Sequence, residues 1–520
     1  MSEVIKSSLK SALKGTTLVF LGMFSSSVLW FVIKVLIARS TTKEEFGIYA
    51  LVVAIVSFVS MISCLGLQEG VPRYISIYIG KGSRQDAETI HRSALQLGLF
   101  SGLFVSALIY ALAGFAANNV FYKPEIVKYL RVLSPYVFLF VMSQILSNIL
   151  RGYGNIRAKV YYIDIGQPLY FVLLLGIFLF SGFPFISIIY AYLFSIAMVF
   201  ISVSSYAYRK LRLGLKDVRS GDMKRKLLIF SGTILVSSLM VLLFNWTDTL
   251  MLGRYVEIET VGVYNIAVAL AYALTLPLAA IGFVFMPIAG DLHGKGLHDE
   301  LKRTFQVITK WGFAATLPLF FVLFFFSEMS ITFLFGERFL GAALPLRLLA
   351  ICYLIQGSFG ASGHVMLVKG MSKELMNVSI FGALLNVALN YVLIKHMGLG
   401  VVGAAVATML SYTIIATSSF VLLFRKTGIH PFTPKYLRPV AGSALIGAVI
   451  YAVAKSLPLY FWMLPLYFTL FIIGYIVSLI LTRSVDKEDL EMFDAIARRM
   501  GIEIIWLRNL LDRDNTKLPG

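Results

Sequence analysis

Charge is scarce in this chain: 14% of its 520 residues are Asp, Glu, Lys or Arg, while 58% are hydrophobic. A soluble domain carries roughly 25% charge, so a water-soluble globular enzyme is excluded. Cysteine is nearly missing. Cys64 and Cys352 stand far apart inside apolar runs, which excludes a disulfide framework and a cysteine metal site. The six histidines show no metal-ligand spacing, and no cofactor is expected. Acidic residues are the scarcer charge, 27 against 46 basic, for a net charge of +19. Nucleic-acid binders gather such an excess on one face. Here it falls in short segments between apolar runs, so no nucleic-acid partner is expected. A phosphate-binding loop is also lacking, because Gly80-Lys81-Gly82 and Gly294-Lys295-Gly296 have the wrong spacing. No loop is long enough for a catalytic domain, and the expectation is a protein that is not an enzyme. The basic N-terminal stretch runs into an apolar segment without a cleavage signature, so the first helix is expected to be retained.

What the chain has instead is a series of apolar runs, each near the roughly 20 residues that cross a hydrocarbon core. They predict an all-α integral membrane protein of about fourteen transmembrane helices, at 15–37, 46–79, 91–117, 129–150, 160–181, 184–208, 227–252, 258–288, 305–327, 342–368, 375–395, 400–424, 438–455 and 459–482. The runs 46–79 and 258–288 exceed a bilayer's thickness and are expected to tilt or to extend into the cytoplasm. Lysine and arginine concentrate on one side, around Lys81, Arg84, Arg151 and the stretch from Arg209 to Lys226, while the opposite loops carry few. Cytoplasmic loops retain basic residues, so both termini are expected inside a multi-pass cell-membrane protein.

An internal repeat organises the runs. Arg39, Gly47 and Tyr49 recur as Arg254, Gly262 and Tyr264, and Leu130-Arg131-Val132-Leu133 recurs as Leu346-Arg347-Leu348-Leu349, at offsets of 215 and 216 residues. The expected organisation is a first lobe of six helices (1–208), a basic linker (209–226), an equivalent second lobe (227–424), two extra helices (425–482) and an amphipathic cytoplasmic tail (483–520) that lies on the inner leaflet or on the protein itself. Six helices per lobe insert both lobes with the same orientation, which gives a parallel repeat, and rocking of two lobes about a central cavity is the default mechanism.

Leu36-Ile37-Ala38-Arg39 with Glu45-Phe46-Gly47-Ile48-Tyr49, Asn386 to Asn390, and Gly398-Leu399-Gly400 with Gly403-Ala404-Ala405-Val406-Ala407-Thr408 resemble the polysaccharide-export or O-antigen flippases. These belong to the superfamily that also holds the MATE exporters and the peptidoglycan-precursor flippases. The resemblance covers the chain to about Leu481. It implies alternating access in twelve or fourteen helices, with a lipid-linked oligosaccharide as substrate, membrane lipids and glycan-assembly enzymes as partners, and a monomeric state. A MATE-like exporter of cationic drugs and an intramembrane enzyme acting on lipid-linked sugars are the alternatives.

Ionisable residues inside spans are costly and therefore candidates for function. Glu69 and Arg73, four apart on the second run, can pair, with Pro72 between them expected to bend the helix. Their repeat mates, Phe283 and Pro287, are uncharged. A substrate role and a structural ion pair are both open. Lys34 reaches toward substrate or snorkels to the interface. Asp164, beside Tyr161 and Tyr162, fits a saccharide contact or an interfacial aromatic belt. In the second lobe Asp248, Asn386, Asn390 and Thr408 fall at similar depth and offer the oxygens a small hard cation takes. The first-lobe counterparts of Asp248, Asn386 and Asn390, about Ile33, Tyr170 and Leu174, are neither carboxylates nor amides. The resemblance places a sodium site at Asp248, Asn386 and Asn390, so sodium or proton coupling is expected. Interhelical hydrogen bonding is the alternative.

Overall fold

The computed structural model describes residues 3–211, 221–433, 436, 438–456, 463–482 and 484, and every regular element among them is helical. The amphipathic tail except Ser484, and the middle of the basic linker, lie outside the described residues. In chain order the helices are α1 (Glu3–Ser40), α2 (Lys43–Ser63), α3 (Leu67–Gly80), α4 (Arg84–Phe115), α5 (Val127–Gly152), α6 (Ile156–Ala158), α7 (Gly166–Phe180), α8 (Ile186–Lys210), α9 (Gly221–Tyr255) and α10 (Ile258–Tyr272). They continue as α11 (Leu276–Gly294), α12 (His298–Phe325), α13 (Ser327–Leu334), α14 (Ala343–Ser358), α15 (Ser362–Val368), α16 (Ser372–Asn390), α17 (Gly400–Thr427), α18 (Arg438–Lys455) and α19 (Leu464–Leu481). Among the described residues eleven stretches are long and apolar enough to cross a membrane. Helix α9 covers the seventh expected span, and two shorter apolar helices, Arg438–Ala454 and Leu464–Leu479, cover the last two.

The two overlong runs are broken rather than merely tilted. Between α2 and α3 the chain turns through Leu65 and Gly66, with φ of 51° and 70°. The corresponding break between α10 and α11 is the tight helical turn Ala273–Thr275. Gly66 is required twice over: its φ lies in the left-handed region, and a Cβ there would sit 2.1 Å from the Ser231 carbonyl oxygen on α9. The interruption therefore lies upstream of Pro72, which is accommodated inside α3. Helix α2 starts at a capping box in which Thr42 Oγ1 accepts from the Glu45 amide and the Glu45 carboxylate accepts from the Thr42 amide.

By packing, the chain divides into two compact units, Met1–Asn265 with Ala383–Ala404, and Ile266–Gly382 with Ala405–Gly520. In the first, α2 and α10 cross at repeat-related glycines. A Cβ on Gly47 would lie 2.0 Å from the Ile258 carbonyl oxygen, and one on Gly262 would lie 3.0 Å from the Gly47 nitrogen. Backbones meet this closely in lipid because small residues let them, dispersion being the main attraction between helices there. The second unit packs α18 and α19 against α12 through aromatic rings, with Phe321 stacked on Phe471 at 4.2 Å between centroids. Just past α19, Lys310 Nζ donates to Ser484 O and Arg438 Nη1 to Thr482 O, each at 3.2 Å.

Candidate functional site

Asp248 on α9 is buried, 7% exposed, and both of its carboxylate oxygens accept hydrogen bonds. Asn390 at the end of α16 donates from Nδ2 to Oδ1 at 2.7 Å, and Tyr264 on α10 donates from its hydroxyl to Oδ2. The same Asn390 Nδ2 donates to the main-chain oxygen of Asn386 at 3.0 Å. Asn386 and Asn390 are 1% and 0% exposed. Asn390 Oδ1 is buried with no hydrogen-bond partner among the described residues. A carboxylate, an amide and a phenol from three helices thus meet, and one acceptor that no donor among the described residues uses sits among them. That donor set fits a small hard cation, which prefers carboxylate and amide oxygens. Sequence reasoning placed Asp248, Asn386 and Asn390 together, and the structure joins them. Thr408 falls in the other unit, where it is buried and its main-chain oxygen accepts from Cys352 Sγ at 3.9 Å.

The charges of the first half are arranged differently from the expected pairing. Glu69 is not partnered by Arg73: its Oε1 meets Arg151 Nη1, on the adjacent α5, at 3.3 Å. Arg73 instead lays its guanidinium over the Phe230 ring of α9, 4.3 Å from the centroid, and has no hydrogen-bond acceptor among the described residues. Helix α3 packs against both α5 and α9, so Glu69 and Arg73, one turn apart on it, are drawn to different neighbours. Both Glu69 and Arg73 are exposed. Asp164 lies in the π-helical stretch Lys159–Ile165 and is paired with Lys159 at 3.9 Å. Lys34 is partly buried on α1, beside the fully buried Ile33.

Comparison with known proteins fixes the family. Residues 12–293, more than half of the chain, match the family described as "Polysaccharide biosynthesis protein", and residues 233–392 match MatE. The chain belongs to the polysaccharide biosynthesis protein family. Among relatives, the uncharacterized membrane protein MJ1068 of Methanocaldococcus jannaschii is 21% identical over 78% of this chain and 82% of its own length. The teichuronic acid biosynthesis protein TuaB of Bacillus subtilis is 25% identical over 40% of this chain and 43% of its own. The probable low-salt glycan biosynthesis flippase Agl15 of Haloferax volcanii is 25% identical over 36% and 40%. Among solved structures, the lipid II flippase MurJ in an inward closed conformation aligns with a TM-score of 0.72 at 16% identity, covering 90% of this chain and 99% of that one. An inward-facing MATE multidrug transporter aligns at 0.68 and 16% identity, covering 77% and 94%. The fold is therefore that of the membrane transporters in this superfamily.

Two residues of this family member escaped the sequence reading. Tyr264 was visible only as a repeat landmark matching Tyr49, and nothing in its spacing pointed to Asp248. Arg151 was visible only as a basic residue at a helix end. Its link to Glu69 spans 82 positions, which no local pattern encodes.

Proposed function

We propose that the protein is a flippase that moves a polyprenyl-diphosphate-linked oligosaccharide from the cytoplasmic to the outer leaflet, with a cation at Asp248 coupling the ion gradient to helix motion. The observation that carries the substrate reading is Arg73. A guanidinium within a membrane-spanning stretch, set over the Phe230 ring and exposed, leaves N–H groups available to a phosphate, the geometry arginine offers to anions. Arg151, on α5, is held by an exposed ion pair to Glu69, worth at most about 1 kcal/mol, so an anionic head displaces Glu69 at little cost. A carrier of cationic drugs calls for the opposite sign of charge. Relatives in glycan assembly and the MurJ-like fold support the same reading. A buried carboxylate favours a nearby cation. Asp248, Asn390 and the Asn386 carbonyl are the residues that would hold it. The termini are assigned to the cytoplasm from the distribution of lysine and arginine.

Proteoliposomes carrying a fluorescent polyprenyl-diphosphate oligosaccharide test this directly. Arg73→Ala should abolish translocation while the protein remains monodisperse, and Arg73→Lys should retain part of it. Normal translocation by Arg73→Ala, or active uptake of a cationic dye in place of the lipid, would sink the proposal. In cells, a cysteine at Ser83 should label only from the cytoplasm and one at Lys123 only from outside, and the reverse result inverts the topology.

A further inference from the structure

Asp248 joins three helices, and one of them also forms the α2–α10 crossing. Tyr264 is 1% exposed and sits on α10 two positions after Gly262. At 3.6 residues per turn the two project about 200° apart, so α10 meets α9 through the Tyr264 hydroxyl on one side and α2 through Gly262 on the other. A second tie between α9 and α10, Asn265 Nδ2 to Thr249 Oγ1 at 3.3 Å, is long and neutral.

We propose that Tyr264 is the lock of the coupling site: its hydroxyl engages Asp248 and ties α10 to α9, and a cation on Asp248 replaces that hydrogen bond and loosens the crossing of α10 with α2. The lock rests on the cation reading above and explains how binding is turned into motion. A ligand shifts a conformational equilibrium only by the difference in its affinity for the two states. In the state seen here Asp248 Oδ2 is engaged by Tyr264, so a cation must displace a charge-assisted hydrogen bond; once α10 has moved it need not. Asn390 completes the exchange. Turning its amide about χ2 withdraws the Nδ2 donor from Asp248 Oδ1 and presents the unpartnered Oδ1 in its place, exchanging a donor for an acceptor beside the carboxylate. Tyr264 acts through Asp248, and is a positioning residue rather than a ligand.

The test uses the purified full chain in detergent, with sodium chloride replaced by choline chloride at constant ionic strength. Tyr264→Phe should lower the sodium concentration at the midpoint of thermal stabilisation about tenfold, the effect of removing a competing hydrogen bond to a charged group. Ile48 is 5% exposed on α2, next to the Gly47 crossing. Ile48→Cys should react with a soluble maleimide faster in sodium than in choline, against low background because Cys64 and Cys352 are buried. Adding Tyr264→Phe should make labelling fast without sodium, and adding Asp248→Asn should make it indifferent to sodium. An unchanged sodium midpoint in Tyr264→Phe, or Ile48→Cys labelling that ignores sodium while the melting temperature responds, overturns the lock and leaves the cation site standing. A wild-type melting temperature that responds to neither sodium nor pH overturns both together. If Tyr264→Phe does not fold, the labelling of Ile48→Cys alone decides.

Discussion

Tyr49 and Tyr264 occupy equivalent places in the repeat and meet opposite surroundings. Tyr49 packs edge-on against Tyr192, which stacks on Tyr136 at 4.7 Å and donates to its hydroxyl at 2.9 Å, while Gln167 donates to the same oxygen at 3.1 Å. Every group in that cluster is neutral. Tyr264 faces a carboxylate, and the position matching Asp248 in the first half is the fully buried Ile33. One helix framework therefore supports an inert aromatic core in its first half and an ionisable cluster in its second. Neutral hydrogen bonds hold a core together without responding to ions. A buried carboxylate must be compensated, and what compensates it can change with state.

The strongest way to break this comparison is to make the halves alike. Ile33→Asp puts a carboxylate at a fully buried apolar position, and should destabilise the protein by about 3–5 kcal/mol, seen as loss of the monodisperse peak in size-exclusion chromatography. A smaller loss would mean that the first half can also compensate a charge.

Next in size, Asn390→Leu removes the hydrogen bond from Nδ2 to Asp248 Oδ1 and should cost about 2–3 kcal/mol. Tyr136→Phe, which removes the acceptor shared by Tyr192 and Gln167, should cost about 1–2 kcal/mol. Melting curves in sodium and in choline sharpen the contrast, since the first loss should depend on the salt and the second should not.

The glycine crossing is nearly symmetric but not wholly so. Gly47→Ala must displace the Ile258 backbone and should cost about 2 kcal/mol, whereas Gly262→Ala, with its nearest atoms at 3.0 Å, should cost about 1 kcal/mol. Equal losses in thermal denaturation would mean that the crossing relaxes from both sides.

The smallest stability effect is expected of Glu69→Gln, under about 1 kcal/mol because the pair with Arg151 is exposed. Its consequence is functional: with Arg151 released, binding of the diphosphate-linked substrate should tighten. Weaker binding would assign Glu69 to the sugar and not to Arg151.

Much of the fold was legible because the bilayer imposes it. Apolar runs of the required length, basic residues on one side and landmarks repeating at 215 residues are each written locally. The breaks in the two long runs were missed, because Leu65 and Gly66 carry no strong signal until α9 comes within reach of Gly66. At the site, Asp248, Asn386 and Asn390 were legible since polar groups at matching depth in apolar helices are rare and expensive. The expected pairing of Glu69 with Arg73 was wrong because helical spacing decides only which side chains can meet along one helix. Arg151 and Phe230, on neighbouring helices, offered each of them a different partner.

By itself, then, the sequence determined the membrane-spanning helices, their repeat and the one half that carries a buried carboxylate with two asparagines, because hydrocarbon thickness and the cost of burying charge act on residues in order along the chain. Only the tertiary structure decided that Tyr264 closes on Asp248, that Arg151 and not Arg73 takes Glu69, and that Gly262 meets Gly47. Those choices depend on which helices become neighbours and on distances of a few ångströms between residues far apart in sequence, and hydrogen bonds and backbone contacts are lost when such distances change by a fraction of that amount.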